Sequence, residues 1–168
     1  TDTDFEGILV KGLSQDYNWA FIKEHLVEGE LPDYESSTKS NDVVISKVLA
    51  AKLDLKLGAK ALVYFQGLKN NNALIRRFTI KGIYETGIEF FDDVYILADS
   101  RHLQKINNWE NNQYSSLEII TSPHVNKEAV YANVDLISPY DTRVRSAHDL
   151  YPQIFDWINL FDLNTLVI

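Results

Sequence analysis

The side chains in this sequence that could do bond chemistry are histidines, serines and carboxylates, because there is no cysteine. Thiol nucleophiles, disulfide frameworks and thiolate metal sites are therefore excluded. The histidines are His25, His102, His124 and His148, and none has a second histidine at the short spacing a zinc site needs. His25 and His102 fall on expected helices and read as surface or boundary residues. Ser146-Ala147-His148-Asp149 contains all three letters of a hydrolase triad. Adjacent side chains point in different directions, and a triad is assembled from distant parts of a chain. No G-x-S-x-G elbow accompanies the run. A helix start capped by Ser146 or Asp149 accounts for it. Carboxylates also crowd at Glu85, Glu89, Asp92 and Asp93. A glycosidase needs two of them at a fixed gap across a cleft, and a calcium loop needs regular oxygen spacing. The cluster offers neither and reads as a solvated acidic turn. Gly82 and Gly87 are isolated, so no phosphate cradle is expected. Catalytic, cofactor and metal sites are all expected to be absent.

The elements that would hold these groups follow from period and punctuation. Gly7 to Gly12 is a short strand. Asp16 caps a helix with Trp19, Ile22 and Leu26 on one face, and Gly29 stops it. Pro32 to Asn41 is a polar loop. Asp42 to Ile45 is a buried strand, after which Ser46 caps a helix carrying Leu49, Ala50 and Leu53, closed by Gly58. Ala61 to Phe65 and Ile75 to Tyr84 form a hairpin around a tip with Asn70, Asn71 and Asn72. Val94 to Leu97 is a strand, and Ser100 caps a helix with Leu103 and Ile106. Leu117 to Thr121 reads as another strand. Asn126 starts a helix with Val130, Val134 and Ile137 on one face, and Ser138-Pro139 ends it. Pro152 opens a last helix lined by Ile154, Trp157, Ile158 and Phe161. Phe90-Phe91 is either a small exposed patch or a pair with one ring in the core, and the core is expected. Strands and helices mix without strict alternation, which points to an α+β fold.

A chain of 168 residues with 45% apolar composition buries a core without metal or disulfide. A net charge of −8 repels phosphate, so nucleic acid and anionic lipid surfaces are not expected as partners. There is no methionine and the sequence opens on Thr1, so a processed product or a piece of a longer protein is expected. No run of 18 or more apolar residues is present. Asn164 to Ile168 is uncharged and ends on three apolar residues, which suits either the approach to a membrane helix or a buried strand or helix end.

The order of segments carries a resemblance. Val44-Ile45-Ser46, a helix, Leu55-Lys56-Leu57-Gly58, a strand, Arg77 to Gly87, and Val94 to Asp99 follow one another. This resembles the extracytoplasmic core domain of ABC-transporter permeases of the MacB and LolC/LolE type, related to FtsX. Leu150 to Trp157 is similar to that family's closing stretch before its second membrane helix. Together the similarity covers about residues 7 to 165. One departure is Ala59, where the family often has an acidic residue. The resemblance implies a non-catalytic periplasmic domain anchored in the inner membrane. It implies a mixed-sheet main part (residues 1–88 and 151–168) and a smaller inserted α/β part (residues 89–150). The implied partners are the domain's own membrane helices, a second permease subunit, a cytoplasmic ATPase acting indirectly, and a lipoprotein or periplasmic carrier. Within the family, lipoprotein-releasing members grip the carrier with a hairpin followed by basic residues. The matching hairpin is Tyr64 to Arg77, with Phe65, Leu68, Arg76 and Arg77 as partner-binding candidates. Arg76 and Arg77 read equally as the wet face and edge of a strand. The alternatives are a stand-alone extracytoplasmic interaction module and a small hydrolase using His148 or the acidic turn.

Overall fold

A computed structural model describes residues 5–66, 74–122 and 124–152. The chain divides into two compact units, Thr1–Ser116 and Leu117–Ile168. The first unit is built on a six-stranded mixed sheet in the order β1-β6-β3-β5-β2, with β4 paired to β5. Its elements are β1 (Leu9–Leu13), α1 (Ala20–Glu24), β2 (Leu26–Gly29), β3 (Asp42–Ser46), α2 (Lys47–Lys52), β4 (Lys60–Phe65), β5 (Leu74–Tyr84), α3 (Glu89–Val94), β6 (Tyr95–Asp99) and α4 (Ser100–Asn107). β1 runs parallel to β6 and β3 parallel to β5, while β3–β6, β2–β5 and β4–β5 are antiparallel. The architecture is thus the expected mixture of helices with a mixed sheet.

The central strand shows why both faces must be covered. Side chains alternate along a strand, so a run of consecutive apolar residues feeds two cores. Val43 and Ile45 join Leu49, Ala50, Phe78, Ile80 and Ile96 on one face. Val44 joins Leu13, Ile22, Tyr34, Tyr84 and Leu97 on the other. A register shift between Val43 and Val44, opposite Ile80 and Gly82, changes the parity of β5. Phe78, Ile80 and Ile83 therefore share one core while Tyr84 enters the other. Ser46 caps α2 as expected, its Oγ accepting the Leu49 N–H at 3.0 Å.

Several expectations are corrected. The helix expected to run from Asp16 through Leu26 is one short turn, Ala20–Glu24, and Leu26–Gly29 is instead a strand on β5. Only Ile22 of α1 is buried, and the Leu26 backbone is recruited by Tyr84 across the ladder. The helix after β6 is capped by Asp99, whose side chain accepts the Arg101 N–H, rather than by Ser100. The acidic turn contains a short helix, α3, and Asp92 is buried. Its carboxylate accepts the Thr86 and Gly87 N–H groups at 3.0 to 3.2 Å and the Thr86 hydroxyl at 2.8 Å, organising the turn. Phe91 packs into the second core against Tyr84 and Tyr95, as expected of one ring of the pair.

The insert expected over residues 89–150 does not begin at Glu89. β6 lies between β1 and β3 in the sheet, so residues 89–107 are part of the main unit, and the second unit starts at Leu117. In that second unit, residues 117–121 form no strand, and Leu117, Ile119 and Ile120 are exposed. An apolar run without a ladder partner leaves its backbone unpaired, so periodicity alone did not make it a strand. Asn126 caps α5 (Lys127–Ile137), accepting the Ala129 N–H at 2.9 Å. Ser146 and Asp149 form a reciprocal capping box at the start of α6 (Ala147–Leu150). The expected last helix lies outside the described residues beyond Pro152.

Candidate functional site

β4 and β5 pair without interruption from Lys60↔Thr79 to Phe65↔Leu74. Thr79 also pairs with Asp42 of β3, so β4 and β3 flank β5 on opposite sides. The hairpin therefore projects beyond the part of β5 that β3 covers. Its inner face carries Ala61, Val63, Phe65, Leu74, Arg76 and Phe78, and Val63 and Phe78 are core residues. Its outer face carries Leu62, Tyr64, Ile75 and Arg77. Leu62, Tyr64 and Ile75 are 50%, 46% and 49% exposed, and the Phe5 ring lies 5.7 Å from that of Tyr64. Three apolar side chains and an arginine thus form a half-exposed cross-strand patch, with Phe5 beside Tyr64 at its edge.

This geometry redistributes the four candidates. Phe65 is partly buried and packed on the inner core, so it is not a surface contact. Leu68 lies outside the described residues. Arg76 and Arg77 are neighbours on a strand and point to opposite faces. They cannot serve together as one basic pad, and only Arg77 joins the apolar outer face. The residues missed by sequence reasoning are Phe5, Leu62, Tyr64 and Ile75. The available signal was the unbroken apolar run Ala61 to Phe65, since among the described residues β4 pairs only with β5 and one of its faces stays exposed.

A second constellation ties the loop before β3 to α4. Asp99 is 1% exposed and accepts the Ser40 N–H at 2.9 Å. Arg101 grips the same carboxylate through Nε at 2.9 and 3.0 Å and Nη2 at 2.6 Å. The guanidinium also donates to the carbonyls of Ser36 at 2.7 Å and Tyr34 at 3.2 Å. Burial pushes the Asp99 carboxyl up, but the Arg101 guanidinium and the Ser40 and Arg101 N–H groups outweigh it and hold it below the ordinary range. Beside it a polar groove of about 530 Å³ is lined by Ser14, Asp16, Tyr34, Ser36, Gln104 and Tyr114.

His102, expected at the surface, is 1% exposed. It packs edge-on against Phe78, with ring centroids 4.8 Å apart, and its Nε2 lies 2.7 Å from the Ser40 carbonyl. Nε2 must carry the proton to donate there, which leaves Nδ1 as a buried acceptor without a partner. Burial holds its pKa below the ordinary histidine value, with the Lys39 and Arg76 charges adding to the effect against the Ser40 bond and Asp99. The sign of the pH effect follows. The unfolded chain binds a proton near pH 6.5 and the folded chain resists it, so stability is full above about pH 6.5 and falls as the pH drops below it. Replacing His102 with Gln is expected to flatten this slope in urea denaturation between about pH 8 and pH 5. An unchanged slope would assign it to another group.

Ser146 and Asp149 bond each other as a helix cap, with Ser146 Oγ 2.7 Å from Asp149 Oδ2. Among the described residues no three His, Asp or Glu side chains gather as metal ligands. No helix among them is long and apolar enough to cross a membrane. No protein-family model matches this chain, and no curated protein sequence does.

Proposed function

We propose that this chain is the extracytoplasmic domain of a MacB- or LolC/LolE-like ABC-transporter permease, transmitting force between its membrane helices and a cargo or carrier protein. The observation that carries the reading is the half-exposed apolar outer face of the β4–β5 hairpin. An apolar patch with one arginine at its side suits a partner that is apolar at its centre and acidic at its rim. The segments that bear the resemblance also support it, because β3, β4, β5 and β6 belong to a single sheet and α2 follows β3. On this reading the domain sits on the periplasmic side of the inner membrane, a second permease subunit stands beside it, and ATP is hydrolysed by a separate cytoplasmic subunit. On this reading the smaller part of the domain corresponds to the unit that begins at Leu117.

Two experiments test this. The complete reading frame should encode an apolar segment of about 20 residues on either side of the domain. In vesicles carrying the parent permease and its ATPase, the double substitution Leu62→Asp, Tyr64→Asp should reduce lipoprotein release at least about 30-fold, the size of a lost interface hot spot. Folding stability should change little, since both side chains are half exposed in the isolated domain. Release at the normal rate from a correctly folded variant would remove the hairpin from the transport cycle. The same loss of partner binding in a frame without flanking membrane segments would instead favour a stand-alone interaction module.

A further inference from the structure

Lys39, in the loop before β3, and Arg76 of β5 both act on His102, and Lys105 of α4 acts on Lys39. Lys39 immediately precedes Ser40, whose carbonyl receives the His102 proton at 2.7 Å. Arg76 stands two residues from Phe78 on the same face of β5, and Phe78 touches the His102 ring. Lys105 lies one turn beyond His102 on α4, on the same side of the helix. Lys39 and Arg76 are half-buried and Lys105 is exposed at the rim.

None of the three has a carboxylate partner among the described residues. Lys47, Lys52, Lys81 and Arg101 do, bonding Glu85, Asp93, Glu30 and Asp99. Arg76 reaches only the carbonyl of its neighbour Ile75, at 3.0 Å. Burial, and then repulsion from Lys105, Arg76 and Arg101, hold the Lys39 ammonium below the usual lysine range. Asp99 is the carboxylate that pulls against this, and its oxygens are already taken by Arg101 and by the Ser40 N–H. Asp99 is thus the carboxylate acting at this spot, and its charge is already shared with Arg101. Like charges crowded on a half-buried spot destabilise a fold unless an opposite charge joins them.

We propose that Lys39, Arg76 and Lys105 form a binding site for a phosphate group. Three cations converging from a loop, a strand and a helix suit a compact, multiply charged oxyanion better than an extended acidic peptide, which would need them in a row. His102 sits beneath the site with an unpartnered Nδ1. An arriving phosphate offsets Lys39 and Arg76, the two cations that oppose its proton, while Asp99 and the Ser40 carbonyl continue to favour it. Anion binding is therefore coupled to proton uptake at His102. The proposal stands whether or not the domain belongs to a permease. The phosphate could be free or part of a lipid headgroup.

The test uses the whole chain with inorganic phosphate as the probe, followed by calorimetry and thermal melting. Phosphate should bind at one site, and Lys39→Ala or Lys105→Gln should weaken it at least about tenfold, a loss typical of one charge-assisted contact. In phosphate-free buffer Lys105→Gln should melt at or above the wild-type temperature, because a repulsive charge is gone. In phosphate the order should reverse. Lys56→Gln, a control in the turn after α2, should change neither. Vesicles containing phosphatidylglycerol, compared with phosphatidylcholine alone, distinguish the sources. Selective capture by the anionic vesicles, lost with Lys105→Gln, assigns a headgroup, and phosphate binding without capture assigns a free anion. Neither phosphate binding nor vesicle capture, or binding that the Lys39 and Lys105 variants leave unchanged, would overturn the site.

Discussion

Substitution of Asp99 by alanine is expected to lower folding stability by about 3–5 kcal/mol, the usual loss when one partner of a buried ion pair is removed. The carboxylate closes three connections at once. It caps α4, receives the Ser40 N–H, and holds the guanidinium that in turn donates to the Ser36 and Tyr34 carbonyls. Without it the loop leading into β3 loses its attachment to α4. The Arg101 side chain is 29% exposed, so water recovers part of the stranded charge and places the loss toward the lower end. Asp99→Asn keeps the capping oxygen and should lose less. The folded chain holds the Asp99 carboxyl below the ordinary aspartate value. Its stabilisation is therefore complete above that ordinary value, about pH 3.9, and is lost as the pH falls through the lower folded one. Urea denaturation between about pH 7 and pH 3 should show a shallower acid limb in Asp99→Asn than in the wild type. A loss below about 1 kcal/mol for Asp99→Ala would mean that the loop is held by other contacts.

Gly29→Ala should be nearly as damaging, for a different reason. Gly29 ends β2 at φ +80°, a backbone conformation that costs a residue with a Cβ about 1–2 kcal/mol. The new Cβ would also stand 2.3 Å from the Lys81 carbonyl oxygen and 2.4 Å from Leu57 Cδ1. Lys81 belongs to β5, so relief requires opening the β2–β5 ladder, and overpacking of this kind adds about 1–3 kcal/mol. The sum is roughly 2–5 kcal/mol. Gly58 gives the comparison that separates the two effects. It has φ +78°, but a methyl group added there would meet nothing within 4 Å, so Gly58→Ala should cost only the backbone part. Equal losses at the two positions, measured by chemical denaturation, would show that the contact with Lys81 yields without cost.

How much could be read from the residues depended on whether the deciding interaction was local. β3, α2, β4 and β5 follow from short-range rules. Val43 to Ile45 is an apolar run followed by a serine whose side chain accepts the amide N–H three residues on, and β4 pairs antiparallel with β5. The capping box at Ser146 and Asp149 is equally local, which is why three triad letters in a row resolved into a helix start. Leu26 to Gly29 failed because helical spacing of Trp19, Ile22 and Leu26 competed with a ladder to β5, about 55 residues later in the chain, and the ladder satisfies more backbone groups. His102 failed for the same reason. Its neighbours Leu103 and Ile106 suggested the apolar face of α4, whereas Ser40 and Phe78 from distant elements drew the imidazole inside.

The hairpin shows the division within a single element. The residue types of Arg76 and Arg77 were plain in the sequence, and so was the period of two that sends adjacent side chains to opposite faces. The sequence by itself determined a mixed α and β domain without thiol chemistry, a capped helix after a buried strand, and a hairpin with basic residues near its end. Only the tertiary structure decided which face of that hairpin meets the core, and therefore that Arg77 borders an exposed apolar patch while Arg76 lies on the face of Phe78. Which layer covers a strand is a contact between residues far apart in the chain, and no local propensity encodes it.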